Sequence, residues 1–290
     1  MSGKRRAGEW RVFGCSVQGA NHQRLGLPNQ DAIDWLAAYG GAQPYVALAV
    51  ADGHGSARYV RSDVGAQLAV AVARTLLCDL AGEFYQRHDL GAIKQMATHR
   101  LPGLLARCWR QRVAAHLSAL PLTTAELAPL NEAEQASLAR YPHHAYGSTL
   151  VATLATESFL LYVQLGDGDI VTVDDGGAAA RPPLASDARL LGDATTSLCM
   201  DEAQRAVRIY FQPLAAQPPA LVMLATDGYA NSFAGEADFL LAAHDIQALV
   251  QPQCDSALHA LRNQLPGWLR ATSDQGSGDD ITVGILLRTS

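Results

Sequence analysis

The sequence predicts an α+β fold, and three observations carry that prediction. Short apolar runs bounded by Gly, Pro or Asp recur in early, middle and late groups along the chain. Longer Ala-, Val- and Leu-rich stretches follow the first and last of these groups and do not alternate with single strands, which argues against regular βαβ units. With 49% hydrophobic residues over 290 positions, the chain has enough apolar material for a large buried core.

Taken in order, Trp10 to Val17 reads as the first strand and Tyr45 to Ala51 as the second, the latter a continuous apolar run ended by Asp52-Gly53. A helix is expected from Asp63 to Cys78. Ala92 to Leu120 places Leu101, Leu104, Leu105 and Cys108 on one helical face, with Pro102 as a break or restart. Pro121 to His144, with three prolines and mixed polarity, reads as irregular, and its His143-His144 pair as surface loop. Strands are expected over Ser148–Ala155 and Ser158–Leu165. Asp174 to Asp201 then reads as a second irregular insertion, rich in Gly and Pro. Arg205 to Phe211 alternates as a half-buried strand, Ala220 to Ala225 is a further apolar run, Asp255 is placed to cap a helix, and Ile281 to Leu287 closes the set.

Charge and cysteine usage narrow the function classes. Twenty-two Lys+Arg against 28 Asp+Glu leave a formal net charge of −6, which disfavours a general binder of nucleic acid or anionic membrane. Uninterrupted apolar runs fall far short of the roughly 20 residues needed to span a bilayer. The opening MSGKRRAGEW has no apolar segment behind its basic residues, so no secretory signal is expected. Five scattered cysteines without a C-x-x-C pair argue against a disulfide framework and a zinc site. A cytoplasmic protein is the expectation.

The informative feature is where the carboxylates fall. Asp52 follows one apolar strand, Asp167 the next in Gly166-Asp167-Gly168-Asp169, and Asp227 a third, while Asp279-Asp280 precede the last. One Asp-Gly is an ordinary turn signal. Three in series, each at the mouth of a strand, would gather like charges at one sheet rim, which is unfavourable unless a cation neutralises them. Oxygen-only ligands select a hard ion, Mn²⁺ or Mg²⁺. Two such ions can clamp a phosphoryl group, so the residues point to a metal-dependent hydrolase acting on phosphate.

The ordered set resembles the metal-dependent protein Ser/Thr phosphatases of type 2C. The pieces are Gly19…Asn29-Gln30-Asp31, Val50-Ala51-Asp52-Gly53-His54-Gly55, Gly147-Ser148-Thr149-Leu150, Leu165-Gly166-Asp167-Gly168-Asp169, Ala225-Thr226-Asp227-Gly228 and Asp279-Asp280-Ile281-Thr282-Val283. That resemblance implies a four-layer α-β-β-α sandwich of two antiparallel sheets flanked by helices. It further implies that Asp52 bridges two ions with the Gly53 carbonyl completing one site, and that Asp227 and Asp279 hold the first ion. Asp167 would support a third ion. His54 would act as general acid while metal-bound hydroxide attacks in line. The implied substrate is a phosphoserine or phosphothreonine protein, and the implied partner a cognate Ser/Thr kinase.

Departures from the family pattern matter as much. Gly26 stands where many members carry a phosphate-gripping arginine, and Gln30 replaces a metal-binding glutamate, as in a divergent bacterial branch that carries a segment like Gly19-Ala20-Asn21-His22. His22, Arg24 or Arg61 is then expected to take the phosphate contact. For Arg61 the other expectation is a helix cap. Asp31 and Asp280 are read as groups that orient the ligands by hydrogen bonds. Asn231 occupies a position where many members place an acid, which weakens the case for a third ion. Two rival readings stay open: a weakly active relative serving as a binding module, motivated by Gln30, and a phosphodiesterase or nuclease, disfavoured by the charge. Because motifs near both ends would serve one centre, residues 1–290 are expected to form one domain, with Asp174–Asp201 as a flap over the site.

Overall fold

The computed structural model describes residues 10–39, 43–187, 189, 195–214, 218–250 and 255–289. The elements run β1 (Trp10–Val17), α1 (Ala20–Leu25), β2 (Ala32–Ala38), β3 (Tyr45–Ala51), α2 (Ser62–Arg87), α3 (Leu90–His99), α4 (Leu101–Ala119), α5 (Thr124–Leu127) and α6 (Glu132–Arg140). A 3-10 segment (Pro142–Tyr146) leads to β4 (Leu150–Thr156), β5 (Phe159–Leu165), β6 (Asp169–Val173) and β7 (Ala179–Ala180). Then come β8 (Arg208–Pro213), β9 (Leu221–Ala225), α7 (Asp227–Ala230), α8 (Glu236–Leu249), α9 (Asp255–Gln275) and β10 (Ile281–Arg288).

The strands make two five-stranded sheets, ordered β1-β10-β9-β6-β7 and β2-β3-β4-β5-β8, with antiparallel pairings throughout. Side chains along β3 show how the layers form. Val46, Leu48 and Val50 point into an inter-sheet core shared with Val151, Leu160, Val222 and Leu224. Ala47, Ala49 and Ala51 point the other way, against Ala66, Ala69 and Ala73 of α2. Small residues on both surfaces let α2 lie close on the sheet. On the outer face of the other sheet, Met223, Ile285 and Leu287 pack against Phe239 and Ile246 of α8 and Leu258, Leu261 and Leu265 of α9. The result is the α+β four-layer sandwich, and it explains why antiparallel strands read as unbroken apolar runs: both of their faces are covered.

Several elements depart from the sequence expectation. Pro121–His144 is not irregular, since α5 and α6 are each closed by a capping box, Thr123 with Glu126 and Asn131 with Glu134. Their few apolar positions hid them from a periodicity reading. β2, β6 and α8 had no assigned element, although α8 carries Phe239, Ala243 and Ile246 at helical spacing. β8 starts later than expected, and α2 runs on past Cys78 to Arg87. By length and composition α2 is apolar enough to cross a membrane, because single polar residues such as Gln67 and Arg74 interrupt its runs without lowering the average much. Half of that stretch is buried here, and the helix lies against β3, β4 and α4. Cys15, Cys78, Cys108 and Cys199 are free thiols, and Cys254 lies outside the described residues.

Close approach fixes one glycine in α2. A Cβ at Gly65 would sit 2.0 Å from the Tyr146 carbonyl oxygen, and the Gly65 carbonyl accepts from the Trp109 indole at 3.0 Å. Gly65→Ala should therefore destabilise the fold by about 2 kcal/mol despite the better helix propensity of alanine, as expected for overpacking. Denaturant unfolding would check this, and an unchanged midpoint would contradict the packing account.

Candidate metal centre

The rim is built by backbone pairing just beyond the ends of the central strands. Past β3, the Asp52 carbonyl accepts from Thr149 N–H at 2.8 Å, the Asp52 N–H reaches the Thr149 hydroxyl at 3.1 Å, and His54 N–H donates to Gly147 at 3.1 Å. Gly53 N–H donates to the Gln30 carbonyl, and a Cβ there would fall 2.6 Å from both that oxygen and the Ser62 oxygen, so only glycine fits. Across the sandwich, Asp227 opens α7 directly after β9, and Asp279 and Asp280 precede β10.

Asp280 ties the remote segments together. One carboxylate oxygen accepts Gly19 N–H at 2.6 Å; the other accepts Gln30 N–H at 2.6 Å and lies 2.8 Å from His22 Nδ1. Three donors on one buried carboxylate hold α1 and the 29–31 turn against β10. Asp31 is fixed in the same way: its N–H donates to the Asn29 side chain, and its carboxylate accepts the Thr226 hydroxyl at 2.7 Å.

Electrostatics then shows what the rim lacks. Burial pushes Asp52 well above the usual carboxylate range, and the charges of Asp31, Asp227 and Asp279 push it further; its carboxyl lies within hydrogen-bonding range of Asp227. Asp31 is raised by burial and by Asp280 and Asp279, against the lowering effect of the Thr226 and Thr282 hydroxyls. Burial and Asp227 raise Asp279 and Asp167 in the same sense. Like charges crowd one another, and each is held in place by backbone that cannot retreat. Gln30 adds a buried carbonyl oxygen, Oε1, without a hydrogen-bond partner among the described residues. An oxygen-only donor set of crowded carboxylates fits a hard divalent cation, and the Gln30 oxygen leaves a further buried acceptor unsatisfied. His22, Asp279 and Asp280 also bring one ligand atom each within 4.8 Å of one another, so the two sets share Asp279.

The other expected residues sort clearly. Arg61 is corrected as a substrate group: its guanidinium donates to both Glu126 carboxylate oxygens, to the Leu120 and Pro121 carbonyls and to the Tyr146 hydroxyl, which spends all five N–H donors. It precedes α2 and anchors α5 to it. Arg24 is exposed and donates to the Asn21 side chain. His54 is largely buried with its ring 4.7 Å from that of Tyr59, and burial and Arg58 bring its pKa down to about 4. At neutral pH it is a neutral imidazole. Acting as a general acid there would require the charge of a bound phosphomonoester to raise it. Asn231 donates to Asp227 at 3.0 Å, so it orients that carboxylate. Beyond Asp227 a cavity of about 650 Å³ is lined by Asp167, Asp169, Arg181 and Glu236. Arg181 pairs with both Asp169 and Glu236, which ties part of the 174–201 segment to α8; residues 188 and 190–194 of that segment lie outside the described residues. Sequence reasoning missed Arg181 because it stands in a stretch with no periodicity. Thr226 was visible beside Asp227, but its tie to Asp31 was not.

The site is thus a set of carboxylates converging at one rim of a two-sheet sandwich. The chain belongs to the protein phosphatase 2C family, whose model matches residues 18–270. Among solved structures it is similar to the Streptococcus agalactiae serine/threonine phosphatase (14% identity, TM-score 0.56, 97% of this chain and 100% of that one). It is also similar to the Mycobacterium tuberculosis phosphatase PstP, whose catalytic domain is known in complex with two manganese ions (16% identity, TM-score 0.53, 97% and 99%). A third is PppA, a regulatory component of type VI secretion in Pseudomonas aeruginosa (16% identity, TM-score 0.54, 98% and 99%). No curated protein sequence matches the chain.

Two outcomes follow from the geometry. Arg61 holds Glu126 down to about 2, so this pair contributes stability that is complete above pH 4.5 and is lost as pH falls toward 2. Arg61→Ala should cost about 3 kcal/mol, since it leaves Glu126 and the partners of a buried guanidinium unpaired; Glu126→Gln should cost less and flatten the acid limb of a stability-versus-pH curve. The rim carboxylates have the opposite sign. Their raised values mean that the folded metal-free protein binds more protons than the unfolded chain, so its stability should decline as pH rises from about 4. Saturating Mn²⁺ should raise the melting temperature and remove that decline, with proton release on binding detectable by calorimetry in buffers of different ionisation enthalpy. A metal-independent pH profile would contradict the electrostatic account.

Proposed function

We propose that the chain is a Mn²⁺- or Mg²⁺-dependent protein serine/threonine phosphatase that hydrolyses phosphoserine and phosphothreonine. The observation that carries this reading is the crowding of Asp31, Asp227 and Asp279 upon Asp52 at one rim of a 2C fold. The two manganese ions in the PstP catalytic domain support it. Asp52, Asp227 and Asp279, with the Gly53 carbonyl, would hold the metal; Asp167 stands beside Asp227 for a further ion. Two divalent ions bound there would supply the positive charge that neutralises a phosphoryl group and activates water.

The chain's own groups do the rest. Asp280 fixes the backbone of Gln30 and the ring of His22, and Thr226 fixes Asp31, so the ligands are held in place before anything binds. His54, seated against Tyr59, could protonate a leaving alkoxide once the charge of a bound phosphomonoester has raised its pKa from about 4. In this reading residues 1–290 form one catalytic unit in the cytoplasm, acting on phosphoproteins made by a Ser/Thr kinase.

Hydrolysis of p-nitrophenyl phosphate and of phosphoserine peptides should appear with Mn²⁺ and vanish with EDTA. Asp52→Asn should lower kcat/KM by more than the roughly 10–100-fold that loss of an outer hydrogen-bond partner costs. Turnover that survives EDTA would sink the proposal.

A further inference from the structure

A phosphomonoester arriving at a rim made of carboxylates needs a cationic group with donors to spare. Two arginines near the rim, Arg61 and Arg181, are committed to ion pairs, and two more make a single neutral hydrogen bond each. Arg61 has no free donor, Arg181 is paired with Asp169 and Glu236, Arg208 donates to the Gly166 carbonyl from a half-buried position, and Arg24 turns to Asn21. Arg58, like Arg24 and Arg208, makes no ion pair among the described residues; what sets it apart is its place against the tyrosine ring that also packs on His54.

Arg58 follows the Asp52-Gly53-His54-Gly55 turn, in the loop between β3 and α2. Its guanidinium lies 4.7 Å over the Tyr59 ring, and one N–H donates to the Tyr59 hydroxyl at 2.6 Å. The His54 ring lies 4.7 Å from the same tyrosine ring, and the Arg58 charge reaches the His54 imidazole. A cation held by an aromatic face is oriented without being neutralised, so four N–H donors of the planar fork stay available. The ring that positions it also walls His54. Beside Arg58 and Tyr59 runs a groove of about 560 Å³, lined also by Asn131, Glu134, His144 and Asp201, with room for the chain that carries the phosphate.

We propose that Arg58, braced on Tyr59, binds the phosphate of the substrate at the His54 side of the rim. This rests on the phosphatase reading above. Arg58 would contribute bidentate, charge-assisted hydrogen bonds to the phosphoryl oxygens, as arginine does better than lysine. It would supply a contact that Gly26 lacks a side chain to make and that Arg61 has no free donor to make.

The test uses the full chain with saturating Mn²⁺ and reads two quantities: turnover of p-nitrophenyl phosphate, and binding of inorganic phosphate by calorimetry. Arg58→Ala should raise KM and weaken phosphate binding by about tenfold or more while leaving Mn²⁺ affinity unchanged. Arg58→Lys should recover part of the loss. Arg112→Ala on the exposed surface of α4 removes the same charge and should change neither quantity. Equal KM and equal phosphate affinity in Arg58→Ala and wild type would overturn the assignment and leave the phosphatase reading standing. A wild type that binds phosphate without turnover would defeat that reading, and the Arg58→Ala comparison would still decide this one. Loss of Mn²⁺ affinity in Arg58→Ala would also overturn it, since the residue would then be acting on the fold of the rim.

Discussion

Crowding of like charge is the constraint around which this structure is arranged. Asp31, Asp52, Asp227 and Asp279 come from four separate segments, and the other three each raise the proton affinity of Asp52. A flexible chain would relieve that repulsion by moving apart. Here the sheets forbid it: Asp52 is locked to Thr149 by two hydrogen bonds, and Asp227 and Asp279 flank strands paired along their length. The energy of bringing the carboxylates together is supplied by the apolar layers behind them, and a cation recovers it on binding.

Those layers explain why the rim is rigid. Each central strand buries one face between the sheets and the other beneath helices, so sliding a strand by one residue would exchange the two sets of side chains. On β3 the exchange would drive Val46, Leu48 and Val50 into α2, where only alanines fit. Register is thereby pinned, and with it the position of Asp52 at the strand end. Arg61 extends the same logic outward. By joining α2 to α5 and to the Tyr146 hydroxyl, it holds the segment between α4 and β4 against the helix that follows the Asp52 turn.

How much of this could be read beforehand depended on the kind of signal. Strands buried on both faces, such as Tyr45–Ala51 and Ile281–Arg288, announce themselves as apolar runs, and the Asp-Gly pairs at their mouths mark the rim. β2 was silent because it is a sheet edge with Asp34 and Trp35 half open to solvent. α5 and α6 depend on capping boxes more than on an apolar stripe. For the site, residue types in sequence order pointed to the carboxylates but not to the service each performs. Nothing in the sequence separates Arg61, whose donors are all consumed, from Arg58, whose donors are not. That distinction exists only once Glu126 and Tyr146 are brought beside one and Tyr59 beneath the other.

Gln30, one of the departures from the usual family pattern, is held in place by Asp280. A glutamate at position 30 would add a charge beside Asp52; Gln30 withholds it and leaves a carbonyl oxygen. Asp280 carries a charge on the other side of the Gln30 turn. That charge does not face the rim unopposed, because two backbone N–H groups and His22 converge on it. One of those N–H groups belongs to Gln30, so the neutral residue is held in place by a charged one.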